Sequence, residues 1–170
     1  MEKVLVLGCC GAGKSTFAKQ LQGLTGLPLI HLDQEHWLPN WVEIDAASFQ
    51  NKVEVFIKQP RWIMDGTFAG TLDVRLAAAD TVIYIDFPAW KCLWRVVKRV
   101  WHYNGRPRPD MPEGCNERWD WAFMHYVAVF NSVKKPRIFK KIEAVAAGKT
   151  VRIFKTDKEV AAYLGSFGRS

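Results

Sequence analysis

Gly8-Cys-Cys-Gly-Ala-Gly-Lys-Ser15 decides the fold, because its spacing G-x-x-x-x-G-K-[ST] is that of a phosphate-binding loop. Residues 4–7 before it form a short apolar run, which predicts a strand buried on both faces of a parallel sheet. After it, Phe17, Leu21 and Leu24 recur at helical spacing until glycines end the pattern. A strand, a glycine-rich loop and a helix in this order predict a nucleoside triphosphate site.

Three properties of this loop suit it to phosphates. Its glycines let successive backbone N–H groups turn inward, and the following helix adds its unpaired N-terminal N–H groups. We expect Lys14 to reach the β and γ phosphates and the Ser15 hydroxyl to bind Mg²⁺. We therefore predict ATP and Mg²⁺ as cofactors, with nucleotide contacts from Gly8, Gly11, Ala12, Gly13, Lys14, Ser15 and Thr16.

The composition favours one globular domain. The chain has 170 residues, 49% of them hydrophobic, and no long polar linker divides it, so we predict a single domain over 1–170. Its apolar stretches are shorter than the ~18 residues of a membrane span, and we expect a cytoplasmic protein without a membrane partner. The four cysteines lack metal-ligand spacing and are expected to be reduced. Cys9 and Cys10 are interpreted as small filler residues, or alternatively as a reactive thiol.

The net charge of +7 indicates an anionic partner, and its distribution is uneven. Positions 87–108 contain no acidic residue, and a second basic cluster lies at positions 134–141, where Pro136 either interrupts a helix or begins one. A triphosphate enzyme and a nucleic-acid binder both show this sign of charge. The two clusters consist of Lys91, Arg95, Lys98, Arg99, Arg106 and Arg108, and of Lys134, Lys135, Arg137, Lys140 and Lys141.

Strands and helices alternate along the chain, which predicts an α/β fold with a parallel sheet covered on both faces. Three predicted strands end in Asp33, Asp65 and Asp86, and ligands bind at the carboxyl ends of such strands. The predicted strands are 4–7, 27–32, 62–64, 81–85 and 150–154; the later helices are 46–58, 89–103, a longer region within 118–147, and 158–164 with Thr156 or Asp157 as its N-cap.

Several of these motifs together resemble the adenylate-kinase-like P-loop kinases: the phosphate loop, Asp65-Gly66, the stretch 85–88, and Arg95 with Arg99. Nearly the whole chain is similar to the proteins known as DNA topology modulation protein FlaR. The motifs of this closer resemblance are His31-Leu-Asp33, Trp37, Trp62-Ile-Met-Asp-Gly66, the stretch 106–111, Gly114-Cys115 and Glu117-Arg118.

The resemblance implies a three-layer P-loop NTPase fold whose parallel five-stranded sheet has the order 2-3-1-4-5. It also implies ATP as the phosphoryl donor, an acceptor-side insertion at 34–61, and a lid-like insertion at 103–121 between strands four and five. The FlaR name claims an effect on DNA topology, whereas the motifs favour a small phosphotransferase.

Basic residues supply candidates for binding the transferring phosphates. Arg95 and Arg99 lie four residues apart, on one helix face, and match positions where adenylate-kinase-like enzymes hold arginines. We predict that these two act with Lys14 in catalysis, the alternative being plain solvated residues. The candidates for contacting substrate from the lid are Arg106, Arg108 and Arg118, in or beside the Gly/Pro-rich segment 104–114.

The carboxylates at the strand ends have separate predicted roles. The resemblance favours Asp65 as the residue that holds a Mg²⁺-bound water, whereas Asp86 is an alternative or a turn residue before Pro88. Asp33 lies on the acceptor side, where it resembles the carboxylate of shikimate-type kinases that orients or deprotonates an acceptor hydroxyl. Its other interpretation is a strand-end turn residue. Both Asp33 and Asp65 are also candidates for substrate binding.

The acceptor pattern of nucleoside monophosphate kinases is missing. No arginine precedes Arg61, and none directly follows Asp65-Gly66. Arg75 is the candidate replacement as a substrate ligand, if residues 69–71 bend the chain back. We therefore predict a small acceptor that is a nucleotide, a nucleoside or a hydroxylated metabolite. Candidates for stacking on a base, or else for packing, are Trp37, Trp41, Phe68 and Trp90.

Two functions compete for the whole chain. The first is an ATP- and Mg²⁺-dependent phosphotransferase of a small acceptor. The second is a nucleotide-dependent DNA-binding regulator that uses the basic helix and the 134–141 cluster, although no helix-turn-helix or zinc module supports it. An ATP sensor without an acceptor is a third, weaker alternative.

Overall fold

The chain folds around a parallel β-sheet. The computed structural model describes residues 1–103, 105–106 and 111–167. The strands in this part of the chain are β1 (Lys3–Gly8), β2 (Leu29–His31), β3 (Trp37–Leu38), β4 (Val42–Glu43), β5 (Trp62–Asp65), β6 (Thr81–Ile85) and β7 (Thr150–Phe154). Five of them form one sheet of order β2-β5-β1-β6-β7, in which every pair is parallel. The other two strands, β3 and β4, form a separate antiparallel hairpin. When only the five strands of the sheet are numbered along the chain, their order is 2-3-1-4-5, and this prediction is confirmed.

Helices cover both faces of the sheet. They are α1 (Lys14–Thr25), α2 (Leu32–His36), α3 (Ala46–Lys58), α4 (Leu72–Ala78), α5 (Ala89–Tyr103), α6 (Trp121–Val133), α7 (Lys135–Val145) and α8 (Asp157–Gly165). Helix α1 packs against α8, whereas α4 packs against α7, and α6 contacts both α5 and α7. Among the described residues, no helix has both the length and the apolar character needed to cross a membrane.

The core lies on both sides of the central strands. Residues 4–7 of β1 are all 0% exposed, and Phe17 and Leu21 of α1 pack into the same core. A strand that is covered on both faces needs apolar side chains at successive positions, not alternate ones. This double burial explains why β1 is a continuous apolar run in the sequence.

Two predicted elements differ from the structure. The second strand ends at His31, and Leu32 and Asp33 belong to the short helix α2, so the prediction of Asp33 as a strand-end residue is wrong. Leu32 is fully buried in this helix, which is why the apolar run continues past the strand. The region 118–147 is divided into α6 and α7, and Pro136 lies in the first turn of α7, where its missing N–H costs nothing.

Residues 38–41, within the predicted acceptor-side insertion, contact residues 115–116, within the predicted lid-like insertion. The indole N–H of Trp41 donates to the carbonyl of Asn116 at 2.9 Å, and the Cys115 thiol donates to the carbonyl of Leu38 at 3.3 Å. Asn40 and Trp41 both have a positive φ, 65° and 59°; asparagine tolerates this left-handed conformation, whereas it is strained for tryptophan. These two hydrogen bonds therefore help hold a strained turn of the insertion against residues 115–116.

Candidate active site

A cavity of about 1300 Å³ opens at the carboxyl ends of the parallel strands, with the phosphate loop in its wall. At one end it is bounded by α8, through Asp157 and Val160; at the other it is bounded by α2, through Asp33 and His36. Because α8 follows β7 and α2 follows β2, these ends lie at opposite edges of the sheet, with β1 in the centre. Single-ligand pockets measure roughly 300–1,000 Å³, so this cavity has room for two substrates.

The phosphate loop has a backbone that other residues would not permit. Gly11 has a φ of 80°, and a Cβ there would lie 2.3 Å from the carbonyl oxygen of Cys92. Gly13 has a φ of 91° and forms the N-cap of α1 without any side-chain hydrogen bond. The first N–H groups of α1 therefore face the loop without a competing side-chain cap. An N-terminus of this kind is an anion-binding site, so the residues present fit the phosphates of ATP.

The predicted nucleotide ligands lie together in the cavity wall: Gly8, Gly11, Ala12, Gly13, Lys14, Ser15 and Thr16. The Lys14 ammonium donates to the carbonyl of Cys9 at 3.0 Å, so its tip lies over the loop. Burial by itself would lower the pKa of Lys14, but the charges of Cys10, Asp65 and Asp33 outweigh it and raise the pKa above its usual value. Lys14 is therefore a cation at neutral pH.

The two predicted arginines of α5 both line the cavity. Arg95 donates from Nη1 to the carbonyl of Ala12 at 3.3 Å, which brings its guanidinium against the phosphate loop. Its Nη2 lies 2.8 Å from a carboxylate oxygen of Asp157 on α8. Arg99 forms an ion pair with Glu117, at 3.0 Å from Nε to Oε1. Arg95 thus lies beside the loop, whereas Arg99 connects α5 to the segment before α6.

Asp65, the predicted metal-associated carboxylate, is buried behind the cavity wall and does not itself line the cavity. It ends β5 and is 4% exposed; its Oδ2 lies 3.1 Å from His31 Nδ1. Its Oδ1 is buried without a hydrogen-bond partner in the described part of the chain. A buried carboxylate oxygen and the Ser15 hydroxyl are the hard oxygen donors that Mg²⁺ prefers. Asp86, the alternative, instead binds the ammonium of Lys135 at 2.7 Å.

Asp33 and a group of aromatic rings form the end of the cavity beside α2. His36 lies at the centre of this group, with ring centroids 4.7 Å from Phe68, 5.1 Å from Trp37 and 4.8 Å from Phe49. Trp37 in turn contacts Trp41 at 5.3 Å. Flat, half-buried rings of this kind can hold a planar or ring-shaped molecule next to the Asp33 carboxylate.

Arg75 does not take the place that the sequence suggested. Its side chain is 0% exposed and does not line the cavity. The guanidinium donates to the carbonyls of Gly66, Thr67 and Phe68 at 2.7–2.8 Å, and its Nε lies 3.1 Å from the Thr71 hydroxyl. Burial lowers the pKa of Arg75 to about 9. The expectation that Arg75 binds substrate is therefore wrong. Arg75 is a buried structural residue that stabilises the loop after β5 by hydrogen bonds to its carbonyl groups.

The lid arginines are placed differently from one another. Arg118 lines the cavity beside Trp41 and Glu117. Arg106 is exposed and is not part of the cavity wall in the described structure. Arg108 lies outside the described residues. Of the three candidates, the geometry therefore favours Arg118 for contact with a substrate.

Several residues at the site were not predicted as functional. The Thr67 hydroxyl donates to the carbonyl of Gly8 at 2.7 Å and connects the loop after β5 to the phosphate loop. Asp157 pairs with both Lys91 and Arg95, although the sequence indicated only a possible N-cap, a role that Thr156 fills. A hydrogen bond with Cys92, together with burial, raises the pKa of Cys9, which favours its interpretation as a filler residue.

Comparisons with known proteins agree with this fold. No model of a protein family matches the chain, and no curated protein matches it. Among solved structures, a shikimate kinase from Acinetobacter baumannii in complex with shikimate is similar over 99% of this chain and 92% of its own, with 14% identity and a TM-score of 0.65. A candidate kinase from Chloroflexus aurantiacus is similar over 98% and 96%, with 13% identity and a TM-score of 0.56.

These structural similarities establish the fold. The chain has the fold of P-loop kinases, as its phosphate loop and sheet order predicted. At 13–14% identity the likeness carries no substrate from one protein to another. It also gives no support for the closer resemblance to the DNA topology modulation proteins.

Proposed function

We propose that this protein is a phosphotransferase that moves the γ-phosphoryl group of ATP, with Mg²⁺, to a hydroxyl of a small acceptor. One observation carries the proposal: the phosphate loop, with Lys14 and Ser15, lines the same cavity as the Asp33 carboxylate. Phosphoryl transfer requires a donor cradle, an acceptor group opposite it and charge neutralisation between them. The loop amides, Asp33, and the cations Lys14 and Arg95 are the residues that would supply these three parts.

On the donor side, the chain's own groups bind and neutralise phosphate. The uncapped N-terminus of α1 and the loop amides hold the triphosphate, and the Lys14 ammonium leaves the Cys9 carbonyl to contact the β and γ phosphates. Arg95 is already in contact with the loop and is positioned to bind the group in transfer. Ser15 and Asp65 would hold Mg²⁺, directly or through water, which supplies charge neutralisation at the phosphates when bound.

On the acceptor side, Asp33 accepts the proton of the attacking hydroxyl. As the new bond forms between the acceptor oxygen and the γ-phosphorus, the bond from that phosphorus to the bridging oxygen of ADP breaks, and ADP leaves with its electron pair. The rings of His36, Trp37 and Phe68 hold the acceptor in place beside this carboxylate. Trp41, which is hydrogen-bonded to the carbonyl of residue 116, and Arg118 line the same cavity as these rings.

The DNA-binding regulator is less favoured by the geometry. A backbone-binding surface needs exposed cations in a row. In the 134–141 cluster, Lys135 is paired with Asp86 and Lys141 is paired with Asp73. Lys134 and Arg137 line the cavity. Two of the five cations of this cluster are thus neutralised by ion pairs and two others line the cavity, which leaves Lys140 as the exposed cation outside the cavity wall.

A matched pair of lysine variants tests the proposal. Lys14→Ala is expected to abolish the rise in melting temperature caused by Mg·ATP, because it removes the cation at the phosphates, while the fold stays intact by circular dichroism. Lys19→Ala removes an exposed lysine from the same helix and is expected to keep the full rise. ADP release with a panel of nucleosides, monophosphates and hydroxylated metabolites then identifies the acceptor. Equal stabilisation of both variants by Mg·ATP would contradict the proposal.

A further inference from the structure

The five cations of the basic cluster at positions 134–141 have different surroundings in the structure. Lys135 binds Asp86 at the end of β6, at 2.7 Å, and Lys141 binds Asp73 at the start of α4, at 2.6 Å. These two ion pairs connect α7 to the end of β6 and to the start of α4. Lys140 is exposed and does not line the cavity. In the part of the chain that the structure describes, the two other cations of the cluster are neither ion-paired nor outside the cavity wall.

Lys134 and Arg137 are those two, and both line the cavity. Within the described residues, neither side chain has an ion pair or a hydrogen bond. Lys134 is half-buried at the junction of α6 and α7, so its position is set by both helices. Lys134 is the N-cap of α7 and Arg137 lies three positions later, so both positive charges lie at the helix end that favours an anion. The pair is therefore suited to an anionic ligand.

The residues that line the cavity with this pair indicate whether it would contact the phosphoryl donor or the acceptor. Phe68, Leu72 and Ile138 line the cavity with Lys134 and Arg137, and they form an apolar wall. Phe68 also contacts His36, at 4.7 Å, in the group of rings beside Asp33. The cation pair thus shares a cavity with the acceptor end, and its helix α7 packs against α4, which begins at Leu72. The opposite end, next to Asp157 and Val160, belongs to α8 at the other edge of the sheet.

We infer that the acceptor carries an anionic group, a carboxylate or a phosphate, which Lys134 and Arg137 bind while its hydroxyl faces Asp33. The inference rests on the proposed function and narrows its acceptor to hydroxylated anions. Arg137 presents a planar fork that matches either oxyanion, and the Lys134 ammonium adds a point charge beside it. The pair takes the place of the acceptor arginine that Arg75 does not supply, because Arg75 is buried behind the loop.

The first test uses simple anions as probes. Protein saturated with Mg²⁺ and a non-hydrolysable ATP analogue is titrated with sodium phosphate, and separately with sodium acetate, at constant ionic strength. Because the analogue already fills the phosphate loop, we expect saturable shifts of the backbone amide resonances of residues 134, 135, 137 and 138, the positions around Pro136 that have an N–H group. Lys134→Gln and Arg137→Gln should each weaken this binding about tenfold to a hundredfold, the effect of losing one charge-assisted contact.

The control is Lys140→Gln, which removes the same charge from the same helix at a position outside the cavity wall. It is expected to leave the affinity for the probe anion within about twofold of wild type, because the lost charge lies outside the cavity wall and its attraction for the anion is screened by solvent and salt. Binding of phosphate alone points to a phosphate monoester, and binding of acetate alone points to a carboxylic acid. Binding that weakens equally in the variants at 134, 137 and 140 would overturn the inference.

The second test uses turnover with matched acceptors. Adenosine and adenosine 5′-monophosphate form one pair, and quinate and its methyl ester form another; each pair differs in the anionic group but keeps its hydroxyls. We expect ADP release with an anionic member and at least about tenfold less with its neutral partner. For that acceptor, Arg137→Gln should raise KM about tenfold or more while kcat and the KM for ATP stay near wild type.

The outcomes separate this inference from the proposed function. If Mg·ATP fails to stabilise the wild-type protein, the proposed function fails. If Mg·ATP stabilises the protein but neither phosphate nor acetate shifts the amide resonances of residues 134, 135, 137 and 138, only the anionic acceptor is refuted. A raised KM for ATP in Arg137→Gln would also refute it, since the side chain would then belong to the donor.

Discussion

The phosphate loop and the acceptor end of the cavity are built in different ways. The loop takes its shape from residues inside a stretch of eight, where Gly11 and Gly13 have positive φ and α1 begins immediately afterwards. The acceptor end takes its shape from contacts between residues far apart in the chain. Trp41 binds the carbonyl of residue 116, and Asp33 shares a cavity with Arg137, about a hundred positions later.

This difference predicts different responses to mutation. A loop whose shape is set by its own residues loses that shape when a substitution strains its backbone. The effect is then confined to nucleotide binding and to nearby packing. A site assembled from distant contacts fails when the element that joins them is lost, and the loss spreads to global stability or to local opening. Four substitutions test this comparison.

The largest effect is expected for Arg75→Met. The variant keeps much of the side-chain volume but removes the donors to the carbonyls of Gly66, Thr67 and Phe68. Each buried carbonyl left without a partner costs about 1–3 kcal/mol, so we expect the free energy of unfolding to fall by about 3–4 kcal/mol, even though the buried charge is gone. Urea denaturation measures this value.

Arg75→Lys is the informative control. It keeps the positive charge, but one ammonium cannot reach carbonyls on both sides as the guanidinium fork does. We expect an intermediate loss of stability. If Arg75→Met were as stable as wild type, Arg75 would not be what holds the loop after β5, and its assignment as a structural residue would fail.

Gly11→Ala is expected to have the next largest effect and to act on the donor side. An added Cβ would meet the Cys92 carbonyl oxygen at 2.3 Å in a backbone with a φ of 80°. Strain and overpacking together are expected to lower the free energy of unfolding by about 2 kcal/mol and to remove stabilisation by Mg·ATP. Thermal unfolding with and without Mg·ATP measures both.

Gly23→Ala supplies the matched comparison on the same helix. Gly23 lies inside α1, has no positive φ, and an added Cβ would have nothing within 4 Å. We expect this variant to be up to about 1 kcal/mol more stable than wild type, with Mg·ATP stabilisation intact. Similar behaviour of the two alanine variants would show that loop geometry is not what the glycine at position 11 supplies.

The same contrast explains how much was predictable from the sequence. The strand, loop and first helix were predicted because their signals are local: an apolar run, glycines at fixed spacing and helical periodicity. The sheet order came with the resemblance to P-loop kinases and is confirmed. This sheet order places Lys14, Ser15 and the arginines of α5 around one cavity. Their catalytic roles stay predictions.

The acceptor end was less predictable because its signals are not local. Arg75 has the residue type of an anion ligand, and only its burial against three carbonyls reveals a structural task. Asp33 belongs to a five-residue helix that is too short to show periodicity. The pairing of Lys135 with Asp86, which leaves Lys134 and Arg137 facing the cavity, depends on tertiary contacts that no spacing rule describes.

A smaller and more local effect is expected for Trp41→Phe. The variant keeps an aromatic ring near Trp37 but loses the hydrogen bond from the indole to the Asn116 carbonyl. We expect the free energy of unfolding to fall by about 1 kcal/mol, the net value of one hydrogen bond. Hydrogen exchange of the amides at 115–118 should accelerate more than that of β1. Uniform acceleration in both places would contradict a local contact between the insertion and the lid.

The smallest effect is expected for Asp157→Asn on the donor side. Hydrogen bonds from Lys91 and from Arg95 lower the pKa of Asp157 in the folded protein. A carboxyl with a lowered folded pKa stabilises the protein above its unfolded pKa, and this contribution is lost as pH falls through the folded value. Because the side chain is 60% exposed, we expect the variant to lose less than about 1 kcal/mol near neutral pH.

The pH dependence distinguishes an ion pair from simple packing. Urea denaturation of wild type and Asp157→Asn near neutral pH and at about pH 3 should give a difference that shrinks in acid, as the carboxylate becomes protonated. High salt near neutral pH should shrink it as well, since screening weakens exposed pairs. A difference that is the same at both pH values would mean that the charge of Asp157 contributes nothing. Arg95 would then be held against the phosphate loop by the Ala12 carbonyl and the Phe87 ring.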